Sequence, residues 1–195
     1  MTRREALKKT FYATGYALAA STTAGVLAGC KADVSEGWMP SFFDKNQIEG
    51  IAHLAEAIIP KTDTPGAKDV KVDRFIDSMI KDFFGEKERN LFMKGMTAAA
   101  EYASSLGSSS ISKLDAEGTK KLFDHLINLA KAEDKKNEGV EDAPQPFFKQ
   151  LKNLTLLGYF TSEEVSNNVL VFDPIPGDYD GAYPLEKTGG RAWAI

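Results

Sequence analysis

Between residues 45 and 160 apolar side chains return every three or four positions, the period of helices that turn one face inward. The first run is Ile48, Ile51, Ala52, Ala55, Ile58 and Ile59, stopped by Pro60. Asp44 and Gln47 precede it at capping-box spacing, which predicts a helix over about 45–59. The segment PKTDTPGAKDV then carries two prolines and a glycine and reads as a turn-rich connection. Val72, Phe75, Ile76, Met79, Ile80 and Phe83 form a second stripe, with Gly85 as its stop. A third helix is predicted over 86–106, where Leu91, Phe92, Met96, Ala99, Tyr102 and Leu106 line one side and Gly107 ends it. Leu114 and Asp115 open a fourth, whose inward face is Leu122, Phe123, Leu126, Ile127 and Ala130 and whose end, KAEDKKNEG, is highly charged. Pro144 and Pro146 stand at the start of a fifth, where a missing N–H does no harm, and Phe147, Phe148, Leu151, Leu154, Thr155 and Tyr159 carry its stripe.

Beyond Gly158 the pattern changes. Residues 169–172, VLVF, read either as a short strand or as an extended buried segment, and the tail FDPIPGDYDGAYPLEKTGGRAWAI is rich in proline, glycine and aromatics. Residues 31–43 mix Gly37, Pro40 and charges with Trp38, Phe42 and Phe43, the composition of a tether. The pattern predicts an all-α or mostly α fold: an irregular bundle of about five helices with an irregular aromatic C-terminal arm. The expected division is a signal segment at 1–29, a tether at 30–43 and a single helical domain at 44–195.

Composition agrees with a folded domain, since 43% of the 195 residues are hydrophobic and 27% charged. Of 24 basic and 28 acidic side chains, residues 1–29 hold four and one, so the remainder carries a net charge near −7. A surface of that sign repels phosphate backbones, and no basic stripe with interleaved aromatics offsets it, so nucleic acid is excluded as an expected partner. The single cysteine, Cys30, leaves no internal disulfide, no Cys-rich zinc site and no C-x-x-C-H haem attachment.

The first thirty residues have the order of a signal peptide: the charged MTRREALKKT, then a mildly apolar run, then Cys30. TRREALK, with Arg3 and Arg4 paired, resembles the twin-arginine export motif, although Ala6 stands where an aromatic is common. Leu27, Ala28, Gly29 and Cys30 resemble a bacterial lipoprotein box, in which the Cys30 thiol accepts a diacylglycerol. The alternative is a transmembrane anchor ending in cysteine, for which residues 11–28 are of marginal length. The expectation is an exported periplasmic or cell-envelope lipoprotein, held to a membrane by acyl chains that each contribute ~0.8 kcal/mol per buried methylene.

Motifs for nucleotide, flavin, serine-hydrolase or zinc-protease chemistry are missing from the sequence. His53 and His125 fall on different predicted helices. With Glu56 or Asp124 they make a conceivable metal set, against which stands the commoner reading of hydrogen-bonded histidines at the rim of a core. Glu163 and Glu164 follow Thr161 and Ser162 at a helix start, where acids favour the macrodipole. Asp178 and Asp180 lie in the turn sequence PGDYDG, where carboxylates cap their own backbone and calcium lacks ligands. No catalytic, cofactor-binding or metal residue is therefore assigned. The aromatics Tyr159, Phe160, Phe172, Tyr179, Tyr183 and Trp193 are divided between packing of the arm and partner docking, and Tyr159, Phe160, Tyr179 and Tyr183 are the candidate partner-binding residues.

Three stretches then point to a family: LAEAIIPKTDTPGAKDVKVDRFID (54–77), FFKQLKNLTLLGYFTSEEV (147–165) and DPIPGDYDGAYP (173–184). In this order they resemble the gluconate 2-dehydrogenase subunit 3 family, the small gamma subunits of membrane-bound flavin-dependent sugar and sugar-acid dehydrogenases. The resemblance implies a non-catalytic subunit that assists export, stability or membrane attachment of a large flavoprotein. FAD is then expected in the partner and not in this chain, and a cytochrome or similar carrier takes the electrons. Two other classes stand beside it: a stand-alone lipoprotein binding a small ligand such as a sugar, and a free-standing enzyme using His53 or His125.

Overall fold

The computed structural model describes residues 37–141, 143–175, 177 and 180–194. The chain divides into two units, Met1–Met39 and Pro40–Ile195. Of the first, only residues 37–39 are described. The second holds, among the described residues, six α-helices: α1 (Lys45–Ile58), α2 (Val72–Asp82), α3 (Glu86–Ser105), α4 (Ala116–Lys136), α5 (Phe147–Phe160) and α6 (Glu163–Asn168), with 3-10 turns at Ile111–Lys113 and Leu185–Thr188. The mostly helical architecture is the one the periodicity predicts, with the short α6 added after the five principal helices.

Helix ends are set by local chemistry. Asp44 accepts from the Gln47 amide at 2.9 Å while the Gln47 side chain accepts from the Asp44 amide at 3.0 Å, a complete capping box. Asp115 accepts from the Gly118 amide at 2.7 Å and Ser162 from the Val165 amide at 3.4 Å, so α4 and α6 also start on side-chain caps. α3 ends where Gly107 takes a left-handed φ of 84°, allowing the amides of Gly107 and Ser108 to close on Ser104 and Ala103 carbonyls.

The core is built around α5, which packs against α1, α2, α3 and α4. Its sequence FFKQLKNLTLLGYF is the most apolar of the helices, as a helix with several covered faces requires. Ile51 and Leu54 of α1, Ile76 and Ile80 of α2, Phe92 of α3, Leu122 of α4 and Leu151 of α5 are wholly buried. At one end of α5 Phe147 lies on Phe92, ring centroids 5.0 Å apart, and Phe92 lies on Phe43 at 5.8 Å. Phe43 is buried, so the folded unit takes in residues 40–43, which the sequence division assigns to the tether.

Beyond α6 the chain is irregular. Leu170 is buried, but Phe172 is exposed. In place of a strand, Val171 makes an isolated parallel bridge with Trp193, its amide donating to Ala192 and its carbonyl accepting from Ala194. Two hydrogen bonds thus close the arm into a loop.

Glycine is required where α3 meets α5. A Cβ added at Gly95 would stand 2.2 Å from both Cβ and Cγ of Phe147. Overpacking of this kind costs ~1–3 kcal/mol, and the gain in helix preference from glycine to alanine is at most ~1 kcal/mol. Gly95→Ala is expected to lower stability by about 2 kcal/mol in urea titration, because the obstructing atoms sit at the base of the Phe147 side chain. An unchanged midpoint would show that the two helices separate freely.

Candidate functional site

Among the described residues the most densely bonded carboxylate is that of Asp77, fully buried on α2. Its Oδ2 accepts from the amide and hydroxyl of Ser41, both at 2.8 Å, and its Oδ1 from the amides of Phe42 and Phe43 at 3.1 and 3.0 Å. Burial pushes the carboxyl pKa up, but the hydrogen bonds from Phe43, Ser41 and Phe42 outweigh it, and the group stays below the ordinary carboxylate value. It acts as a clamp on the first residues of the folded unit. The sequence carries one signal of this role that its motifs do not: a carboxylate beside Ile76 in an inward stripe demands partners.

A second assembly holds the connection between α1 and α2. Glu56 accepts from the amides of Lys61 and Lys68, at 3.0 and 2.9 Å, and so ties both arms of the loop. Asp69 accepts from the Gly66 amide and pairs with Lys61 at 3.1 Å. Tyr159, from the end of α5, donates its hydroxyl to the Pro65 carbonyl at 2.8 Å. Nearby, Gly158 gives way to Phe75 of α2, whose ring would lie 2.6 Å from any Cβ there. The first two stretches that carry the family resemblance are therefore pressed together at one place.

The candidate histidines have separate partners. His53 Nε2 lies 2.8 Å from Thr119 Oγ1, joining α1 to α4, and burial followed by the Lys68 charge holds its pKa below the ordinary imidazole value. His125 stacks on Tyr102 with ring centroids 4.0 Å apart and planes nearly parallel. Asp124 is exposed. Among the described residues no three His, Cys, Asp or Glu side chains gather as a metal-holding group. Glu163 and Glu164 occupy the first turn of α6, and Asp180 caps its own turn by accepting from the Ala182 amide at 2.9 Å.

The candidate docking aromatics divide. Tyr159 is 4% exposed with its hydroxyl engaged, so it faces the core and a partner does not reach it. The reason is its place on α5: the stripe that ends the helix turns it toward α1 and α2. Phe160 packs edge-on to it at 5.3 Å and is half-buried. Tyr183 is 43% exposed, sets its ring edge against Trp193 at 5.6 Å and carries Lys187 over its face. Phe172, Ile175 and Leu185 are exposed on the same arm. Tyr179 and Asp178 lie outside the described residues, as do Arg3, Arg4 and Cys30. Among the described residues no helix is long and apolar enough to cross a membrane. A cleft of about 500 Å³ opens between α3, α4 and the start of α5, with Leu91, Leu126, Leu129 and Phe148 on its walls and Lys94 and Glu133 among its polar groups.

Two titrations follow from this geometry. The Asp77 pKa is depressed, so its contribution to stability is complete above the unfolded value of 3.8 and is lost as pH falls through the folded one. Asp77→Asn brings amide donors against amide donors and is expected to cost about 3 kcal/mol at neutral pH. Urea titration at pH 7 checks the loss. His53 is likewise depressed, so its share of stability is complete above 6.5 and is lost as pH falls from there through the folded value. In thermal melts between pH 7.5 and 5, His53→Gln should have a flatter profile than the wild type; parallel profiles would remove His53 from the acid response.

A family model described as gluconate 2-dehydrogenase subunit 3 matches residues 45–177, more than half of the chain, and covers all six helices. No curated protein and no solved structure gives a significant match. The matched span contains the α1–α2 loop, its Glu56 and Tyr159 anchors, and the Asp77 clamp's own carboxylate, and on that match the chain belongs to the gluconate 2-dehydrogenase subunit 3 family.

Proposed function

We propose that this chain is the non-catalytic small subunit of an exported, membrane-bound flavin-dependent dehydrogenase acting on a sugar or sugar acid. The family match over residues 45–177 carries the reading, since membership implies a dehydrogenase partner. On this reading FAD sits in the large partner subunit, and a cytochrome or another carrier accepts the electrons. A flavoprotein that receives its cofactor in the cytoplasm has to cross the membrane folded, so a small companion bearing the export address is a physical solution. Arg3 and Arg4 supply that address, and Cys30, once acylated, supplies the attachment to a membrane facing the periplasm or cell envelope. The exposed aromatics of the arm, Tyr183 and Trp193 above all, support a docking role, because tyrosine and tryptophan cover large area with few rotatable bonds.

Detergent extraction of membranes followed by affinity capture of the tagged chain is expected to recover an FAD-containing polypeptide with sugar-oxidising activity. Changing Arg3 and Arg4 together to lysine should leave both polypeptides in the cytoplasm. Recovery of this chain alone from membranes that do contain the dehydrogenase would overturn the reading.

A further inference from the structure

The loop between α1 and α2 is fixed far more tightly than its place on the surface requires. Residues 60–63 are exposed, and their side chains add nothing to the core. Yet both arms hang on one carboxylate, Glu56, and the Pro65 carbonyl is held by a phenol reaching from the far end of α5. The Ala67 amide returns to the Ile59 carbonyl at 3.0 Å, and the Thr62 amide closes the tip on the Thr64 carbonyl at 3.0 Å. Gly66 lies so near Glu56 that a Cβ there would stand 2.4 Å from its Oε1. The buried Gly66 and Ala67 call for bonded partners in the second arm, but the exposed tip before them does not, because surface connections tolerate looseness. Tight anchoring of an exposed polar tip does have a consequence for binding: a loop already in its bound shape loses little conformational entropy on association.

We infer that residues 61–64 form a prebuilt recognition element that contacts the dehydrogenase subunit, with Asp63 presented to a cationic side chain of that partner. Lys61 is already committed to Asp69, whereas Asp63 enters no ion pair among the described residues and stands at the exposed tip. Thr62 and Thr64 flank it with hydroxyls 3.4 Å apart. Tyr159 is then a positioning residue, acting on the partner only through Pro65. The inference rests on the proposed partnership and names the surface used for it.

The test measures binding of the full-length tagged chain to the purified dehydrogenase subunit by titration at low and high salt, with a thermal melt of every variant. Asp63→Lys is expected to weaken binding tenfold or more (~1.4 kcal/mol per tenfold), more strongly at low salt, with no change in melting temperature. Tyr159→Phe keeps the ring and loses only the Pro65 bond; it is expected to weaken binding several-fold, with a smaller salt dependence than Asp63→Lys. Tight binding by the wild type that both variants retain would overturn the loop assignment while leaving the partnership standing. Absence of wild-type binding would overturn both.

Discussion

Helix α5 reaches the centre of this fold because small residues stand where its ends meet other helices. At its first turn the Phe147 side chain occupies the space a Cβ on Gly95 would need. At its last turn Gly158 admits Phe75. Between these points the helix touches four others, and Leu151, Leu154 and Thr155 are buried along its length. Interiors at native density leave no room for an added methyl without displacement, so the glycines set the distance at which α5 can lie against α2 and α3. The aromatic chain from Phe43 through Phe92 to Phe147 depends on that distance, and so does the reach of Tyr159 to Pro65.

Seen from this helix, two sequence stretches that look like a family signature acquire a mechanical meaning. PKTDTPGAKD is a connection whose shape is held by Glu56 before it and Asp69 within it; GYFTS is the end of α5, where one residue gives way to a neighbouring ring, the next bonds the connection, and the serine caps α6. Each of these contacts joins one part of the chain to another. They are the joints of a scaffold, in keeping with a subunit whose family name attaches to a larger complex.

Much of the scaffold was legible in the sequence, because helix periods and caps are local. Asp44 with Gln47, Asp115 before α4 and Ser162 before α6 stand within three residues of the groups they satisfy, and the structure uses each of them as a cap. What the sequence withheld is which neighbour a side chain meets. Asp77 is clamped by residues 34 to 36 positions away, and Tyr159 bonds a carbonyl 94 positions away; no window of a dozen residues contains either pair. Composition alone groups Tyr159 with the docking aromatics, whereas its position at the end of an inward stripe points to the core. The same distance effect sets the start of the folded unit at Pro40, since Asp77 and Phe92 join Phe42 and Phe43 to it from far along the chain.

On the proposed partnership, the exposed loop and the C-terminal arm would meet a dehydrogenase with different chemistry. The loop at 61–64 is ordered before contact and offers mainly polar groups, so it loses little freedom on binding and discriminates through hydrogen-bond and charge geometry. The arm is closed by the Val171–Trp193 bridge and a few turn bonds, and its exposed Phe172, Ile175, Leu185 and Trp193 are large apolar groups. Immobilising exposed side chains costs about 0.5–1.5 kcal/mol each, while burying a large apolar side chain contributes ~1.5–3 kcal/mol. The balance favours the exposed apolar side chains of the arm as the source of affinity, and because apolar burial is non-directional it discriminates weakly between partner surfaces. On that reading selectivity for one dehydrogenase rests with directional polar groups, and the loop tied down by Glu56 and Tyr159 presents such groups in a fixed frame.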